Sequence, residues 1–461
     1  MADKPQYFLC GVGGSGMLPL AAILRAKGFT VAGSDRMLDQ GRVNEKFDYL
    51  KSLGVALFPQ DGSGLTSSDQ ILVASAAVED TVPDVKAANA LGLSRVTRAE
   101  TLAALFNAAP RSLGVAGTSG KSTTTAMAAW IFNEAGADPT VMNGAVMKNF
   151  ADADAPFASA REGAGDLFIS EIDESDGSIA LFNPTIAILT NVAYDHKSME
   201  ELRALFGDYL ARSERCVVNL DNTEARRLAE TADNALTFSL KDPSADFYAG
   251  KLEPAPFAIR FSVTHKGETH AAALQVPGAH NVANALAALA AAVAGGVAFA
   301  DALSALEGFQ GVKRRFEKVG EKNGVTVIDD FGHNPDKISA TLRTLHAFPG
   351  QLHVLFQPHG FGPLRTLKDE FIATFANELN DGDRLYMPEP VYYGGTVDRS
   401  VSSGDIVAGV TNAGAKAEKF ETREECAEAI IAIAAPGDRV VIMGARDDTL
   451  SIFATDLLER L

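Results

Sequence analysis

The fold is decided by residues 113–125, which read Leu113-Gly114-Val115-Ala116-Gly117-Thr118-Ser119-Gly120-Lys121-Ser122-Thr123-Thr124-Thr125. An apolar run that leads into glycines, a lysine and a row of hydroxyls is typical of a buried strand, a phosphate-binding loop and a helix. In such a loop the backbone N–H groups cradle ATP phosphates, the lysine reaches the terminal ones and a hydroxyl can hold Mg²⁺. The strict P-loop spacing is not met, because Val115 stands where that motif has glycine. We still predict an ATP site made of Gly117, Thr118, Ser119, Gly120, Lys121, Ser122 and Thr123.

Two apolar runs downstream end in residues that suit a metal. Leu167–Ser170 is followed by Glu171 and further acids, and Ile186–Leu189 leads to His196. The ends of strands in an α/β nucleotide site are where ligands bind. An acidic run is also typical of a solvated loop, and a histidine there can be a hydrogen-bonding core group. Because the acids follow the phosphate loop by one β-unit, we predict that Glu171 is a metal ligand together with the hydroxyl of Ser122 or Thr123, and that His196 is a candidate ligand of a second metal ion.

A second glycine motif, Gly11–Gly16, lies between the strand-like Tyr7–Cys10 and the helical Leu18–Lys27. Glycines at such a turn let the backbone approach a pyrophosphate at the helix N-terminus. Asp35 follows the next predicted strand, where a ribose-binding acid lies in a dinucleotide fold. Three interpretations stay open: an NAD site, a site for another nucleotide diphosphate such as a UDP-sugar, and a tight turn without a ligand.

Short apolar runs and amphipathic helices alternate along the chain, which predicts an α/β fold with doubly wound parallel sheets. Breaks near residues 110 and 317 predict three domains. These are a Rossmann-like N-terminal domain at 1–110, a P-loop-type central ATPase domain at 111–317 and a Rossmann-like C-terminal domain at 318–461. Within the central domain, Asp246–Val276 predicts antiparallel hairpins. A buried helix is predicted from Asn281, ended by Gly295-Gly296.

The chain is acidic, since 41 Lys and Arg residues oppose 59 Asp and Glu residues in 461, a formal net charge of −18. This balance argues against nucleic acid and anionic membranes as partners. The most apolar stretch, 285–300, is too short and too mildly hydrophobic to span a membrane. The three cysteines lie far apart without a zinc or disulfide pattern, and the N-terminus lacks a signal-peptide pattern. We therefore expect a cytoplasmic protein.

In their order and spacing, the motifs resemble the Mur ligases, which are ATP-dependent amide ligases of peptidoglycan synthesis. The resemblance covers nearly the whole chain and lies in Gly11–Met17, Gly33–Asp35, Arg98–Glu100, Glu171–Ser178, Thr190–His196, Asp329–His333 and Phe356–His359. It is strongest to the branch that adds L-alanine to UDP-N-acetylmuramate. A branch that recycles a muramyl tripeptide shares much of the pattern, including Gly311–Arg315.

The resemblance implies a reaction and a set of contacts. A carboxylate would attack the γ-phosphate of ATP, and an amine would then displace phosphate from the acyl phosphate. ATP and Mg²⁺ would be the cofactors, with Ser122 and Glu171 on one or both Mg²⁺ ions and His196 on the second. A UDP-N-acetylmuramate-type substrate and an amino acid would be the partners, and the protein would be a monomer or homodimer. Besides the loop, ATP would contact Asn281, Asn284, Arg315 and Asp330. The UDP-sugar would contact Gly13, Gly14, Ser15, Gly16, Met17, Asp35, Ser75 and Arg98.

The region expected to bind the amine departs from the family pattern. Two arginines usually follow the equivalent of His359, the first of them directly, whereas this chain has Gly360 there and only Arg365 nearby. We predict that Arg365, in a Gly- and Pro-rich loop before a helix near Thr366–Leu379, clamps the carboxylate of the amino acid. A surface cation is the other interpretation. Lys121, Glu171 and His196 complete the predicted catalytic set, and a nucleotide-binding dehydrogenase and a non-catalytic scaffold remain as alternatives.

Overall fold

A computed structural model describes residues 6–75, 78–194, 197–232, 234–391, 398–445, 447 and 449–461. Over these ranges the strands form three sheets, and helices alternate with strands along the chain. One compact unit extends to Val312 and holds the first two sheets. The other consists of Lys313–Leu461 together with the short segments Pro254–Ala258 and Val276–Gly278. The predicted α/β fold class is confirmed, and the boundaries near residues 110 and 317 stay predictions.

The first sheet has five parallel strands in the spatial order β3-β2-β1-β4-β5. Its strands are β1 (Gln6–Cys10), β2 (Thr30–Ser34), β3 (Ala56–Phe58), β4 (Gln70–Ala74) and β5 (Ser94–Thr97). The helices of this part are α1 (Met17–Ala26), α2 (Arg36–Asp39), α3 (Asn44–Ser52), α4 (Pro83–Leu91) and α5 (Arg98–Asn107). The strand order reverses between β1 and β4, which is where ligands bind in open α/β sheets.

The second sheet has ten strands over the described residues, in the order β15-β14-β13-β12-β11-β10-β6-β9-β7-β8. They are β6 (Arg111–Ala116), β7 (Thr140–Met142), β8 (Ala160–Arg161), β9 (Leu167–Glu171), β10 (Ile186–Leu189), β11 (Arg215–Asn219), β12 (Ala235–Ser239), β13 (Phe247–Ala255), β14 (Ala258–His265) and β15 (Glu268–Leu274). The helices are α6 (Lys121–Glu134), α7 (Met199–Ala211), α8 (Thr223–Ala229), α9 (Ala279–Ala294) and α10 (Phe299–Glu307). The core strands are parallel, whereas β14 and β15 pair antiparallel within the predicted hairpin region.

Helix α9 packs against α6 through small side chains. Its residues from Ala285 to Ala292 are fully buried, and this run consists of six alanines and two leucines. Small side chains let helix axes approach closely, so the helix forms a tightly packed layer on the sheet. The helix ends where Gly296 takes a φ of +94°, a left-handed conformation that glycine adopts without strain. The predicted buried helix and its end are confirmed.

The third sheet has six strands in the order β16-β17-β21-β18-β19-β20, with β16 antiparallel to β17 and the others parallel. Its strands are β16 (Glu317–Lys322), β17 (Val325–Asp330), β18 (Leu352–Phe356), β19 (Arg384–Pro388), β20 (Ala417–Phe420) and β21 (Arg439–Met443). The helices are α11 (Pro335–His346), α12 (Phe361–Thr366), α13 (Lys368–Glu378), α14 (Ser403–Asn412), α15 (Arg423–Ile431) and α16 (Thr449–Arg460). No helix among the described residues is long and apolar enough to cross a membrane.

One predicted element is wrong at its start. The predicted helix near Thr366–Leu379 is α13, and the preceding Gly- and Pro-rich segment is itself the helix α12 rather than a loop. Pro363 does not prevent this, because it lies in the first turn of α12, where backbone N–H groups have no helical partner. Arg365 consequently lies on a helix.

Candidate active site

The carboxyl ends of three neighbouring strands, β9, β6 and β10, form the edge on which the phosphate loop lies. Val115 of β6 lies opposite Glu171 of β9, and Ala116 lies opposite Leu189 of β10. Parallel strands end at the same edge of a sheet, so the residues that follow them come together. The structure thus brings the predicted phosphate loop and Glu171 to one place.

The phosphate loop is braced by the residues that follow β10. Asn191 accepts the N–H of Ser119 at 3.0 Å and donates to its carbonyl oxygen at 2.9 Å. The hydroxyl of Thr190 donates to the same carbonyl at 2.7 Å. Gly117 has a φ of +130°, and a Cβ on it would lie 2.2 Å from Oγ1 of Thr190, so glycine is required there. These contacts hold the loop in shape.

Lys121, the first residue of α6, folds back over the loop. Its Nζ donates to the carbonyl oxygen of Gly117 at 2.7 Å and to Oε2 of Glu174 at 2.9 Å. The Lys121 side chain is 19% exposed and that of Glu174 6%. Burial alone would lower the pKa of Lys121, but the carboxylates of Glu174, Asp173 and Glu171 outweigh it and raise that pKa. Lys121 is therefore a charged cation at the loop.

A hydroxyl and a carboxylate lie side by side next to the lysine. Oγ of Ser122 donates to Oε2 of Glu171 at 2.7 Å, while a Cβ on Gly144 would lie 2.1 Å from Oε1 of Glu171. Hard oxygen donors of this kind suit Mg²⁺, so the two side chains fit the metal predicted from the sequence. Within the described ranges, no group of three or more His, Cys, Asp or Glu side chains forms a metal site. The third predicted ligand, His196, lies outside the described residues.

The two asparagines expected to contact adenine lie near the start of α9, beside the loop. Nδ2 of Asn284 donates to Oδ1 of Asn281 at 3.3 Å, and both side chains are buried. A Cβ on Gly120 would lie only 2.5 Å from Oδ1 of Asn284, so helix and loop are in close contact. The structure therefore groups nine predicted ATP-binding residues: Gly117, Thr118, Ser119, Gly120, Lys121, Ser122, Thr123, Asn281 and Asn284.

The residues predicted to bind a UDP-sugar collect at the carboxyl edge of the first sheet. Gly13–Met17 follow β1, Asp35 follows β2, Ser75 follows β4 and Arg98 begins α5 directly after β5. The Arg98 side chain lies against the glycine loop, since a Cβ on Gly16 would be 2.9 Å from its Cδ. A cation therefore stands beside the N-terminus of α1, at the point where the strand order reverses.

Asp35, the predicted ribose-binding acid, is engaged by the backbone. Its Oδ2 accepts the N–H of Gly13 at 2.9 Å, and its Oδ1 accepts the N–H of Met37 at 2.8 Å. The second bond caps α2, as an aspartate at the N-cap position commonly does. On the other side of the loop, Nζ of Lys46 donates to the carbonyl oxygen of Gly13 at 2.9 Å. Asp35 and Lys46 thus hold the glycine loop in position.

Two of the predicted nucleotide contacts, Arg315 and Asp330, neighbour each other in the second unit. The Arg315 guanidinium stacks over the ring of Phe331 with its carbon 4.2 Å from the ring centre. Asp330, the last residue of β17, accepts the N–H groups of Phe316 and Gly332, each at 2.7 Å. Asp330 therefore holds the backbone directly after Arg315 and directly after Phe331.

Arg365 lies apart from those two residues in the sequence, on α12. Its side chain is 47% exposed and forms an ion pair with Asp398. An exposed pair of this kind is weak, so the guanidinium can exchange Asp398 for another carboxylate. Its assignment to the amino acid stays a prediction.

Sequence reasoning missed two residues of the phosphate site. Glu174 binds Lys121, but the acidic run Glu171–Asp176 gave no sign of which acid turns inward. Asn143 follows β7, and its Nδ2 donates to the carbonyl oxygen of Ser122 at 3.1 Å. A single asparagine after a short strand carries no sequence signal for such a contact.

Three family models match the chain. The model described as "Mur ligase family, catalytic domain" matches residues 7–109, "Mur ligase middle domain" matches 115–292, and "Mur ligase, glutamate ligase domain" matches 314–446. A UDP-N-acetylmuramate–L-alanine ligase of Cereibacter sphaeroides is 36% identical, over 99% of this chain and 96% of its own length. The chain belongs to the Mur ligase family. As a Mur ligase it is an ATP-dependent, ADP-forming amide ligase of peptidoglycan synthesis.

Other relatives agree over the same length. A UDP-N-acetylmuramate–L-alanine ligase of Desulfosudis oleivorans is 36% identical, over 96% of this chain and 95% of its own. The crystal structure of a UDP-N-acetylmuramate–alanine ligase from Thermotoga maritima superimposes with a TM-score of 0.82 at 26% identity, covering 99% of this chain and 98% of that chain. The family predicted from the motifs is confirmed.

Proposed function

We propose that this Mur ligase joins L-alanine, or a similarly small amino acid, to the carboxylate of UDP-N-acetylmuramate. Its full-length relatives carry that name, and the grouping of Lys121, Ser122 and Glu171 at one loop supports the activating step. In that step, a carboxylate oxygen attacks the γ-phosphorus, the bond to the bridging oxygen breaks and ADP leaves. The amine nitrogen then attacks the acyl carbon, loses a proton and expels phosphate.

Lys121 supplies the positive charge for the activating step. Its ammonium would contact the terminal phosphates, where negative charge shifts as the γ-phosphoryl group is transferred. The loop N–H groups would hold the phosphates, with Asn281 and Asn284 on the base. Mg²⁺, held by Ser122 and Glu171 with His196 as a further ligand, would neutralise phosphate charge.

The edge of the first sheet is the proposed UDP-sugar site. The N-terminus of α1 attracts a diphosphate, and Arg98 provides a cation beside it. Both carboxylate oxygens of Asp35 accept backbone N–H groups, which favours a UDP-sugar over an NAD ribose at this edge. Arg315 and Asp330 would contact the nucleotide, and Arg365 the carboxylate of the amino acid.

Phosphate release from ATP tests the proposal. The chain should release phosphate only when ATP, Mg²⁺, UDP-N-acetylmuramate and an amino acid are all present, and L-alanine should give the highest rate in a panel with glycine, L-serine and the murein tripeptide. The tripeptide as preferred amine would assign the chain to recycling. Titration calorimetry with NAD in place of the UDP-sugar is the control, and binding of NAD alone would contradict the proposed first site.

A further inference from the structure

The carboxylate of Glu174 lies outside every contact that the proposed function uses. Glu174 follows β9 in a turn, where its backbone carbonyl oxygen accepts the N–H of Gly177 at 3.0 Å. The side chain is buried and reaches the ammonium of Lys121. A buried carboxylate requires a partner, and Lys121 is the partner it has.

Two of the three N–H donors of the Lys121 ammonium bond acceptors of its own protein. An ammonium has three N–H donors; here one bonds the carbonyl of Gly117 and one bonds Glu174, at 2.7 and 2.9 Å. The first contact lies within the loop that would receive the phosphates. The terminal phosphates can therefore accept more than one N–H of the ammonium only by taking the place of at least one of these acceptors.

Glu174 is the acceptor that carries charge. Glu171, Asp173 and Glu174 lie within one short segment beside the loop, and each repels an incoming triphosphate. Glu174 alone of these three hydrogen-bonds Lys121, whereas Asp173 accepts the N–H of Ser175 at 3.0 Å and Glu171 accepts the hydroxyl of Ser122.

We propose that Glu174 holds the ammonium of Lys121 in the nucleotide-free protein and yields it to the triphosphate, so that this carboxylate opposes nucleotide binding and sets the ATP affinity. The proposal rests on the proposed function only in that ATP binds at this loop. Without a nucleotide, Glu174 supplies the counter-charge that a buried ammonium needs. With a nucleotide, the phosphates supply it instead.

The variant Glu174→Gln tests this exchange. Glutamine keeps the size of the side chain but removes the charge, so the ammonium binds it less strongly. We expect the affinity for a non-hydrolysable ATP analogue with Mg²⁺, measured by titration calorimetry, to rise about tenfold. The KM for ATP should fall while the KM for the amino acid stays unchanged. The free variant should unfold at a lower temperature, and the analogue should raise that temperature more than it does in the unaltered protein.

Asp173→Asn is the matched control. It removes one charge from the same segment but breaks no bond to Lys121, so we expect an affinity gain of about twofold or less. An unchanged or weaker affinity in Glu174→Gln would overturn the proposal, as would an equal gain in Asp173→Asn. A purely structural role would lower stability and affinity together. Failure of the proposed function is recognised separately, because the analogue would then still bind while no amine promotes phosphate release.

Discussion

The chain contains two glycine loops that connect a central parallel strand to a helix, and they obtain positive charge in different ways. In the loop before α6, the cation is part of the motif, because Lys121 directly follows the last glycine. In the loop before α1, Arg98 comes from the end of a different strand and lies against Gly16. Both loops are held by backbone contacts, through Asn191 in one and Asp35 in the other.

This difference explains what a sequence can say about each loop. A lysine within the motif identifies a phosphate site by itself, whereas glycines alone serve NAD, a UDP-sugar or a simple turn. For the loop before α1 no local pattern indicates a cation: the family resemblance alone implied Arg98, and the strand order then brings α5 beside α1.

The largest expected effect is in the loop before α6. Lys121→Ala should lower phosphate release by about 10²-fold or more, because the ammonium stabilises charge that develops during phosphoryl transfer. Circular dichroism should show that the fold is retained. Near-normal turnover would mean that the cation in the motif is dispensable and that the two loops do not differ in this way.

The glycines give a matched pair of smaller effects. Gly120→Ala meets both a φ of +89° and Oδ1 of Asn284 at 2.5 Å, so we expect the KM for ATP to rise about tenfold. Gly16 has a φ of −98°, and the Cβ of Gly16→Ala would meet the flexible side chain of Arg98, with Cδ nearest at 2.9 Å. Its KM for UDP-N-acetylmuramate should rise a few-fold at most, with ATP unaffected. Initial-rate kinetics on both variants distinguish the loops, and the reverse order would contradict the assignment.

Arg365 is the cation that we propose for the carboxylate of the amino acid. Arg365→Ala should raise the KM for L-alanine about fivefold and leave the KM for ATP unchanged, because an exposed guanidinium contributes modestly. Asp398→Asn is the control: it frees the guanidinium and should not raise that KM. Equal KM values in Arg365→Ala and the unaltered protein would reassign Arg365 to the surface.

The smallest effect concerns Cys10, which directly precedes the first loop, and the other two cysteines. Burial, with Asp84 nearby, raises the pKa of Cys10 to about 12, and burial raises that of Cys426 to about 12 and that of Cys216 as well. Only about 10⁻⁴ of a thiol with that pKa is thiolate at pH 8. A thiol reagent should therefore label none of the three in the native protein and all three in denaturant. Rapid labelling of Cys10 in the native protein would show that the loop before α1 opens.

The sheets could be predicted in their interiors but not at their edges. Strand β10 begins and ends with the apolar run Ile186–Leu189 recognised in the sequence, because a parallel strand buried on both faces is a continuous apolar run. The strands β3, β5 and β20 have three or four residues each and are only partly buried. Short, half-polar strands have no periodicity that distinguishes them from loops.

The site could be predicted where chemistry lies within one motif. The closeness of Lys121, Ser122 and Glu171 could be predicted, because these residues follow the ends of buried parallel strands. The hydrogen bond from Lys121 to Glu174 could not, because it depends on a turn that directs one acid of the run inward. The pairing of Arg365 with Asp398 joins residues 33 positions apart, and no local pattern indicates it.

Helix α9 places Asn284 beside the phosphate loop, and most of its residues are alanines. Alanine scanning, the usual way to find important positions, would leave most of this helix unaltered and would detect no effect there. Ala288 is fully buried, so an enlarging substitution such as Ala288→Leu would have to displace the groups packed around it. The positions that matter in this helix would therefore be found by adding volume, since there is little side chain to remove.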